Sequence, residues 1–457
     1  MLQSQIINVL PRRILAGLWA TQETRISLNH LTVNNKSANE KSQQQPAATS
    51  SSFICNELPV RYTHILRLLS TLSPDSLQSP IIRNVAHSYL RDICTLLHPS
   101  LKGTSPKAIS NVLNNLRQSQ ATNLIRLKYA LLSNPTAASA ALMENINTIG
   151  FGIHLLLDQH LSWDAQSNSH AQKTCPQEVA YQAVSDARKS FSNAFGGDRI
   201  IPNIEIKKDN MVNRKYKKTV EQDFTFIPNI LHRILYESTL LSLKAQAIYD
   251  EEINRNLNWL QRQWRNKSNN PQNRPLSLRI FGGPTSIGFR LDAAAPLLES
   301  DLLPGIPRDP IGIPTCGHVL SSTSATAISS PMMVEWESLS GWRSAKTLAS
   351  HWGGNLDAVT IEGLGSTIYL ALDRDPSLLE RYPSRHALAA SAHSLLRHHR
   401  RTSAVVASAD SNLSIQAAAT QLDAFLFAIS DTQQSTFNPT PLYHHHSVSL
   451  SAAVGHA

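Results

Sequence analysis

The stretch FTFIPNILHRILYESTLLSLKAQAIYDEE, residues 224–252, decides how the chain is read. Pro228 suits the first turn of a helix, where a missing N–H costs nothing. From there Ile230, Leu231, Ile234, Leu235, Leu241 and Leu243 recur at helical period and form a broad apolar face. One carboxylate, Glu237, interrupts that face. A buried carboxylate is costly without a partner, so Glu237 needs either a partner or a chemical task. Arg233, one turn back, is the local partner that helix geometry offers. At this level both readings stay open.

The rest of the composition narrows the class. A chain of 457 residues with 41% hydrophobic content has room for two or three domains with packed cores. No apolar run approaches the ~18 residues of a membrane span, so none is expected. The net charge of +9 suits nucleic acid, an acidic partner or an organelle matrix. The basic residues are dispersed, however, and Arg214–Lys218 is the one compact run. A solvated loop accounts for it, and nucleic acid is not an expected partner. Cys55, Cys94, Cys175 and Cys316 form no closely spaced pair, which points to a reducing compartment rather than a disulfide scaffold. The first 22 residues lack acids and place Arg12 and Arg13 among Ile, Leu and Trp, as a mitochondrial presequence does.

Working outward, residues 34–52 form a polar linker, and order is expected from about Phe53. Four helical patterns follow, between 53 and 170. The first has Pro59 in its opening turn, the second covers 81–97, the third opens at Ser105–Pro106, and the fourth is TAASAALMENINTIGFGIHLLLDQHLSW. Short connectors between long helices imply a bundle. Beyond it come a helix at 175–191, a strand at 201–207, the helix opened by Pro228, and a hairpin of LSLRIF (276–281) and SIGFRLD (286–292). A long Pro-, Gly- and Ser-rich loop is expected at 296–333, a helix at 344–352, and a second hairpin turning at Gly363–Leu364–Gly365. The interleaving implies an α/β sandwich. The remainder carries two helical patterns, about 384–401 and 413–430, with a loose tail. The basic group at His398–Arg401 reads as a solvated helix end and His444–His446 as part of the tail.

Several of these segments resemble one family. ELPVR (57–61), IGFGIHLLLDQHLSW (149–163), VSDAR (184–188), FTFIPNILHRILYE (224–237), and GGNLDAV with EGLGSTIYL (within 353–370) follow the order and spacing of the mitochondrial protein kinases. These are the pyruvate dehydrogenase kinases and the branched-chain 2-oxoacid dehydrogenase kinase. The resemblance spans roughly 53–373. It implies α plus α/β architecture: an N-terminal four-helix bundle (53–170), then a histidine-kinase-like ATPase α/β sandwich (171–375). A presequence and linker (1–52) would precede them, and a divergent helical extension and tail (376–457) would follow.

The resemblance also implies a site. Glu237 matches the general base, Lys244 a following basic residue, Asp292 the adenine-reading Asp, Gly341 the phosphate-cradling turn, and Gly365 and Ser366 the Gly-Thr pair of the last hairpin. ATP and Mg²⁺ are the implied cofactors. This sequence departs from the pattern in four places. Leu241 stands where the family has its metal-ligating Asn, and a leucine offers no oxygen to a hard cation. Ala293, Ala294 and Ala295 replace glycines, and only Gly341 remains of the lid motif, leaving Arg343 or Lys346 as other phosphate-binding cations. His232 and Arg233 share the turn where many members carry a His. The implied partners are the lipoyl-bearing core and dehydrogenase component of a 2-oxoacid dehydrogenase complex, and a second subunit in a homo- or heterodimer. The implied compartment is the mitochondrial matrix. Two functions fit: serine phosphorylation of the dehydrogenase, or a non-catalytic relative that scaffolds or regulates it.

Overall fold

The computed structural model describes residues 11–32, 46–132, 136–164, 170–195, 201–209, 212–213, 218–219, 223–256, 276–298, 302, 337–384 and 415–430. Residues 214–217 of the basic run, Cys316, most of the 296–333 loop, residues 385–401 and His444–His446 lie outside the described residues.

The first helix, α1 (Arg12–Ala20), buries Leu15, Ala16 and Trp19. The four long helices that follow are α2 (Ser51–Leu69), α3 (Pro80–Leu97), α4 (Pro106–Leu132) and α5 (Ala137–Asp164). Helices α2 and α4 each pack on both α3 and α5. Local sequence sets their ends. The Ser50 hydroxyl caps α2 by accepting from the Phe53 N–H, so the helix starts earlier than expected. Pro59 therefore lies inside α2 rather than in its first turn, because Ile54 and Leu58 ahead of it are fully buried and hold the helix together. Ser105 caps the start of α4 and Pro106 opens it, as read from sequence. Helix α5 is long and apolar enough to cross a membrane, but most of its surface is buried within the protein.

The second half is built on a five-stranded sheet. Strand β1 (Gln172–Thr174) leads into α6 (Pro176–Phe195), then β2 (Ile204–Asp209), β3 (Phe224–Phe226) and α7 (Pro228–Asn256). The two hairpins are β4 (Leu276–Gly282) with β5 (Ser286–Ala293), and β6 (Asn355–Ile361) with β7 (Gly365–Asp373). Between them lies α8 (Trp342–Ser350). The strand order is β2-β4-β5-β7-β6, with β2 parallel to β4 and the other pairs antiparallel. Strands β1 and β3 form a separate antiparallel pair. Helix α7 packs on α6, α8 and β5, while α8 also contacts β6, β7 and α5.

The ends of the described chain depart from the sequence reading. Order extends upstream of Phe53: α1 packs on α2 and on a last helix, α9 (Ile415–Ile429), with Trp19 Nε1 donating to Gln421 Oε1 at 3.2 Å. Residues 374–384 are a strap that crosses back to the long helices. Its Glu380, 1% exposed, accepts from Arg61 Nη1 at 3.1 Å and from the Ile26 N–H at 3.1 Å. It also lies 3.3 Å from His351 Nε2. Arg61, 0% exposed, is further held by Glu57 Oε1 at 3.1 Å and by the Thr24 carbonyl at 2.9 Å. This network accounts for Gly152 in the IGFGIH segment. A Cβ there would lie 2.4 Å from Arg61 Nη1, so a side chain would displace the guanidinium.

Candidate nucleotide site

Glu237 sits mid-way along α7 and is 9% exposed. Its two carboxylate oxygens have separate partners. Oε1 is 2.7 Å from Arg233 Nη2, one turn back. Oε2 accepts from the main-chain N–H of Gly341 at 3.0 Å. Gly341 precedes α8 and has φ +94°, a left-handed conformation that side chains resist. The local ion pair and a contact with the turn that opens α8 therefore both exist, and they share one carboxylate. Burial lowers the Arg233 pKa, and the Glu237 charge opposes that shift. Helix-end geometry supplies the rest, since the first N–H groups of α8 favour a negative partner.

The neighbouring His232 turns elsewhere. Its Nε2 lies 3.0 Å from Asp186 Oδ2 of α6, and its ring stacks on Tyr236. Burial lowers the His232 pKa while Asp186 raises it. Glu237 is thus partnered by an arginine, and the adjacent histidine serves the α6–α7 contact through the VSDAR segment. Leu241 packs against the apolar core, and Lys244 is half-buried.

Strand parity decides the position of Asp292. Successive side chains alternate between the two faces of a sheet. On β5 the residues Ile287, Phe289, Leu291 and Ala293 are buried on the helix-covered face. Arg290 and Asp292 therefore point to the other face. There Asp292 Oδ1 accepts from Arg290 Nε at 2.8 Å and from its cross-strand neighbour Thr367 Oγ1 at 2.8 Å. The inward position after Leu291 belongs to Ala293, 8% exposed.

Gly365 and Ser366 are drawn against the same turn. Ser366 pairs with Ala293 in register and donates its hydroxyl to the Ala295 carbonyl at 2.7 Å. Gly365 has φ +99°, and a Cβ there would lie 2.1 Å from the Ala293 carbonyl oxygen. Gln246 of α7 completes the contact by accepting from the Ala295 N–H at 3.2 Å. Gln246 was not foreseen, although a glutamine among Leu243 and Ala245 is a polar residue on an apolar face. At ~100° per residue Gln246 lies about half a helix circumference from Glu237. The structure therefore makes two separate contacts with α7. Glu237 meets the start of α8, while Gln246 meets the β5–β7 turn with Gly365 and Ser366.

The start of α8 is also tied to the long helices. Lys128 of α4, 1% exposed, donates to the Ser338 carbonyl and to Ser344 Oγ at 2.8 Å. A cleft of about 270 Å³ lies between α5 and α8, with Arg343 and Lys346 in its lining. Residues 25–181 match the family model of mitochondrial branched-chain alpha-ketoacid dehydrogenase kinase. The match runs from the segment that binds Glu57 and Glu380 through the four long helices into α6. That part of the chain is thus similar to the mitochondrial kinase family that the quoted segments resemble. No curated protein matches the chain.

Proposed function

We propose that the chain is a diverged mitochondrial dehydrogenase kinase whose nucleotide chemistry has been given up, leaving a protein that binds and regulates a 2-oxoacid dehydrogenase complex or a partner kinase subunit. On this reading α2–α5 are the family's four-helix bundle, and the sheet with α6–α8 is its histidine-kinase-like nucleotide sandwich. The compartment is the mitochondrial matrix, and the partners are the lipoyl-bearing core and the dehydrogenase component. A dimer, with itself or with a related kinase, is the assembly.

One observation carries the loss of chemistry. The acidic side chain closest in sequence to the adenine-reading position, Asp292, faces away from the helices and is consumed by Arg290 and Thr367. The inward position holds Ala293, which has no group to accept from an adenine amine. The family implies ATP with Mg²⁺, but these residues do not fit that pair. Leu241 supplies no oxygen for the metal. Both oxygens of Glu237 are engaged, one by the Arg233 guanidinium and one by a main-chain donor. No phosphoryl-transfer step is therefore assigned to these residues.

The competing reading is an active serine kinase with Glu237 as base and with Lys244, Gly341, Gly365 and Ser366 around the nucleotide. The Glu237–Gly341 contact is what favours it, because it joins α7 to the expected phosphate turn. A direct test is thermal stabilisation by ATP with and without Mg²⁺. A ligand at 100 times its dissociation constant adds about 2.7 kcal/mol. The proposal expects no Mg²⁺-dependent gain. A gain accompanied by phosphate transfer to the dehydrogenase defeats it. Co-purification of the dehydrogenase complex with the tagged chain from mitochondria tests the partner assignment.

A further inference from the structure

The cleft between α5 and α8 has a volume of about 270 Å³, space for roughly nine waters at about 30 Å³ each. Its walls divide by chemistry. Leu132, Met143 and Trp342 form an apolar side. Helix α5 contributes the acceptors Glu144 and Asn147, and the first turns of α8 contribute Arg343 and Lys346. Two of these polar groups are incomplete. Asn147 is 4% exposed, and its Oδ1 is buried without a hydrogen-bond partner. Arg343 Nε is buried and likewise unpaired. Buried polar atoms in native proteins almost always find partners, so two orphans lining one cavity call for an occupant. The other two charges already have exposed counterparts: Lys346 Nζ lies 2.9 Å from Asp357 Oδ1, and Glu144 Oε1 lies 3.5 Å from Arg381 Nη2.

We propose that this cleft binds a small zwitterion with an apolar side chain, of the free amino-acid class. Its carboxylate accepts from Arg343, at the end of α8 where the helix dipole favours negative charge. Its ammonium donates to Asn147 Oδ1, with the Glu144 carboxylate on the same wall. Its side chain covers Leu132, Met143 and Trp342. A simple anion leaves Asn147 Oδ1 without a donor and faces Glu144. A simple amine leaves Arg343 incomplete. The zwitterion is the class that completes both orphans and fills the apolar wall.

Occupancy has a consequence at the next residues. Arg343 lies two residues after Gly341, whose N–H holds Glu237. A ligand bridging Asn147 to Arg343 therefore pins the start of α8 to α5. The inference stands on the cleft alone and needs no nucleotide, so it fails or survives independently of the functional reading.

The test uses the full chain without nucleotide and three probes: L-norleucine, hexanoate, which lacks the amine, and pentylamine, which lacks the carboxylate. Norleucine is expected to raise the melting temperature in a concentration-dependent manner and to give a one-site isotherm by calorimetry. Hexanoate and pentylamine are each expected to bind about tenfold more weakly or worse. Arg343→Ala and Asn147→Ala are expected to weaken norleucine by a similar factor, with circular dichroism checking that each variant folds. The probe series on the unaltered chain needs no variant to be decisive. No response to norleucine, a hexanoate response equal to that of norleucine, or undiminished norleucine binding by folded Arg343→Ala would each overturn the proposal.

Discussion

The Gly341 N–H donates to Glu237 Oε2 at 3.0 Å, while Arg233 Nη2 sits 2.7 Å from the other oxygen of the same carboxylate. The most conspicuous acid of α7 is thus shared between a cation of its own helix and the first turn of α8. That arrangement gives Glu237 a structural role whether or not it has a chemical one. Removing one partner of a buried ion pair strands the other charge and costs about 3–5 kcal/mol. Glu237→Gln is therefore expected to lower stability by that order in urea unfolding. A change within about 0.5 kcal/mol, the range of ordinary surface substitutions, counts against the structural role.

The strap makes a parallel prediction at a distance. Glu380 joins Arg61 across 319 residues of sequence and also receives the Ile26 N–H. Glu380→Gln should destabilise the chain by about 3–5 kcal/mol. It should also make residues 21–32 more susceptible to limited proteolysis, because one of their main-chain acceptors is weakened. Chiefly through Arg61, with His351 adding to it, the Glu380 pKa is held down to about 2 despite its burial. The unfolded group titrates near its ordinary value of ~4.3. Its contribution is therefore fully present above about pH 4.3 and lost as pH falls through about 2. The unfolding free energy of Glu380→Gln should depend less steeply on pH than that of the unaltered chain in this window.

Asp92 behaves in the opposite sense. It is buried in α3 with Ser119 Oγ donating to it at 2.8 Å, and burial pushes its pKa up to about 7. Between its unfolded value and about pH 7 the folded protein holds a proton that the unfolded chain has released. Stability from this group is thus greatest at low pH and falls as pH rises toward 7, by up to about 1.4 kcal/mol per unit. Asp92→Asn should flatten the melting temperature between about pH 4 and pH 7. An unchanged slope in that variant excludes Asp92 as the cause.

Gly365 is under two constraints, a φ of +99° and the Ala293 carbonyl where a Cβ would stand. Strained backbone of this kind costs about 1–3 kcal/mol before the clash is counted. Gly365→Ala should therefore destabilise by more than that range in chemical unfolding and disturb the register of β7 against β5. Gly363→Ala, at φ +75° with no atom within 4 Å of its Cβ, should cost less. Equal effects at the two positions refute the close-approach argument.

Much of the architecture was legible because it is local. Pro228, Ser105–Pro106 and the glycine turn at 363–365 each mark an element end by their own backbone chemistry, and the elements follow. The Arg233–Glu237 pair was legible for the same reason, since both ends lie on one helix. What escaped depends on distant residues. The buried acceptors that hold the 21–26 segment, Glu57 and Glu380, come from elsewhere in the chain, so a presequence-like composition concealed a packed segment. Asp292 was placed correctly at the end of its strand. Its side-chain direction depends on which face of β5 the helices cover, and a shift of one residue reverses it. The cap at Ser50 was hidden by the polar composition around it.

Radiolabelled phosphate transfer from ATP to the dehydrogenase component, run alongside calorimetric titration of MgATP into the full chain, separates the two readings. No transfer above background and no Mg²⁺-dependent binding are expected, because Leu241 has no oxygen to offer a hard cation and Ala293 has no group to accept from an adenine amine. Saturable MgATP binding with transfer that disappears in Glu237→Gln would contradict it.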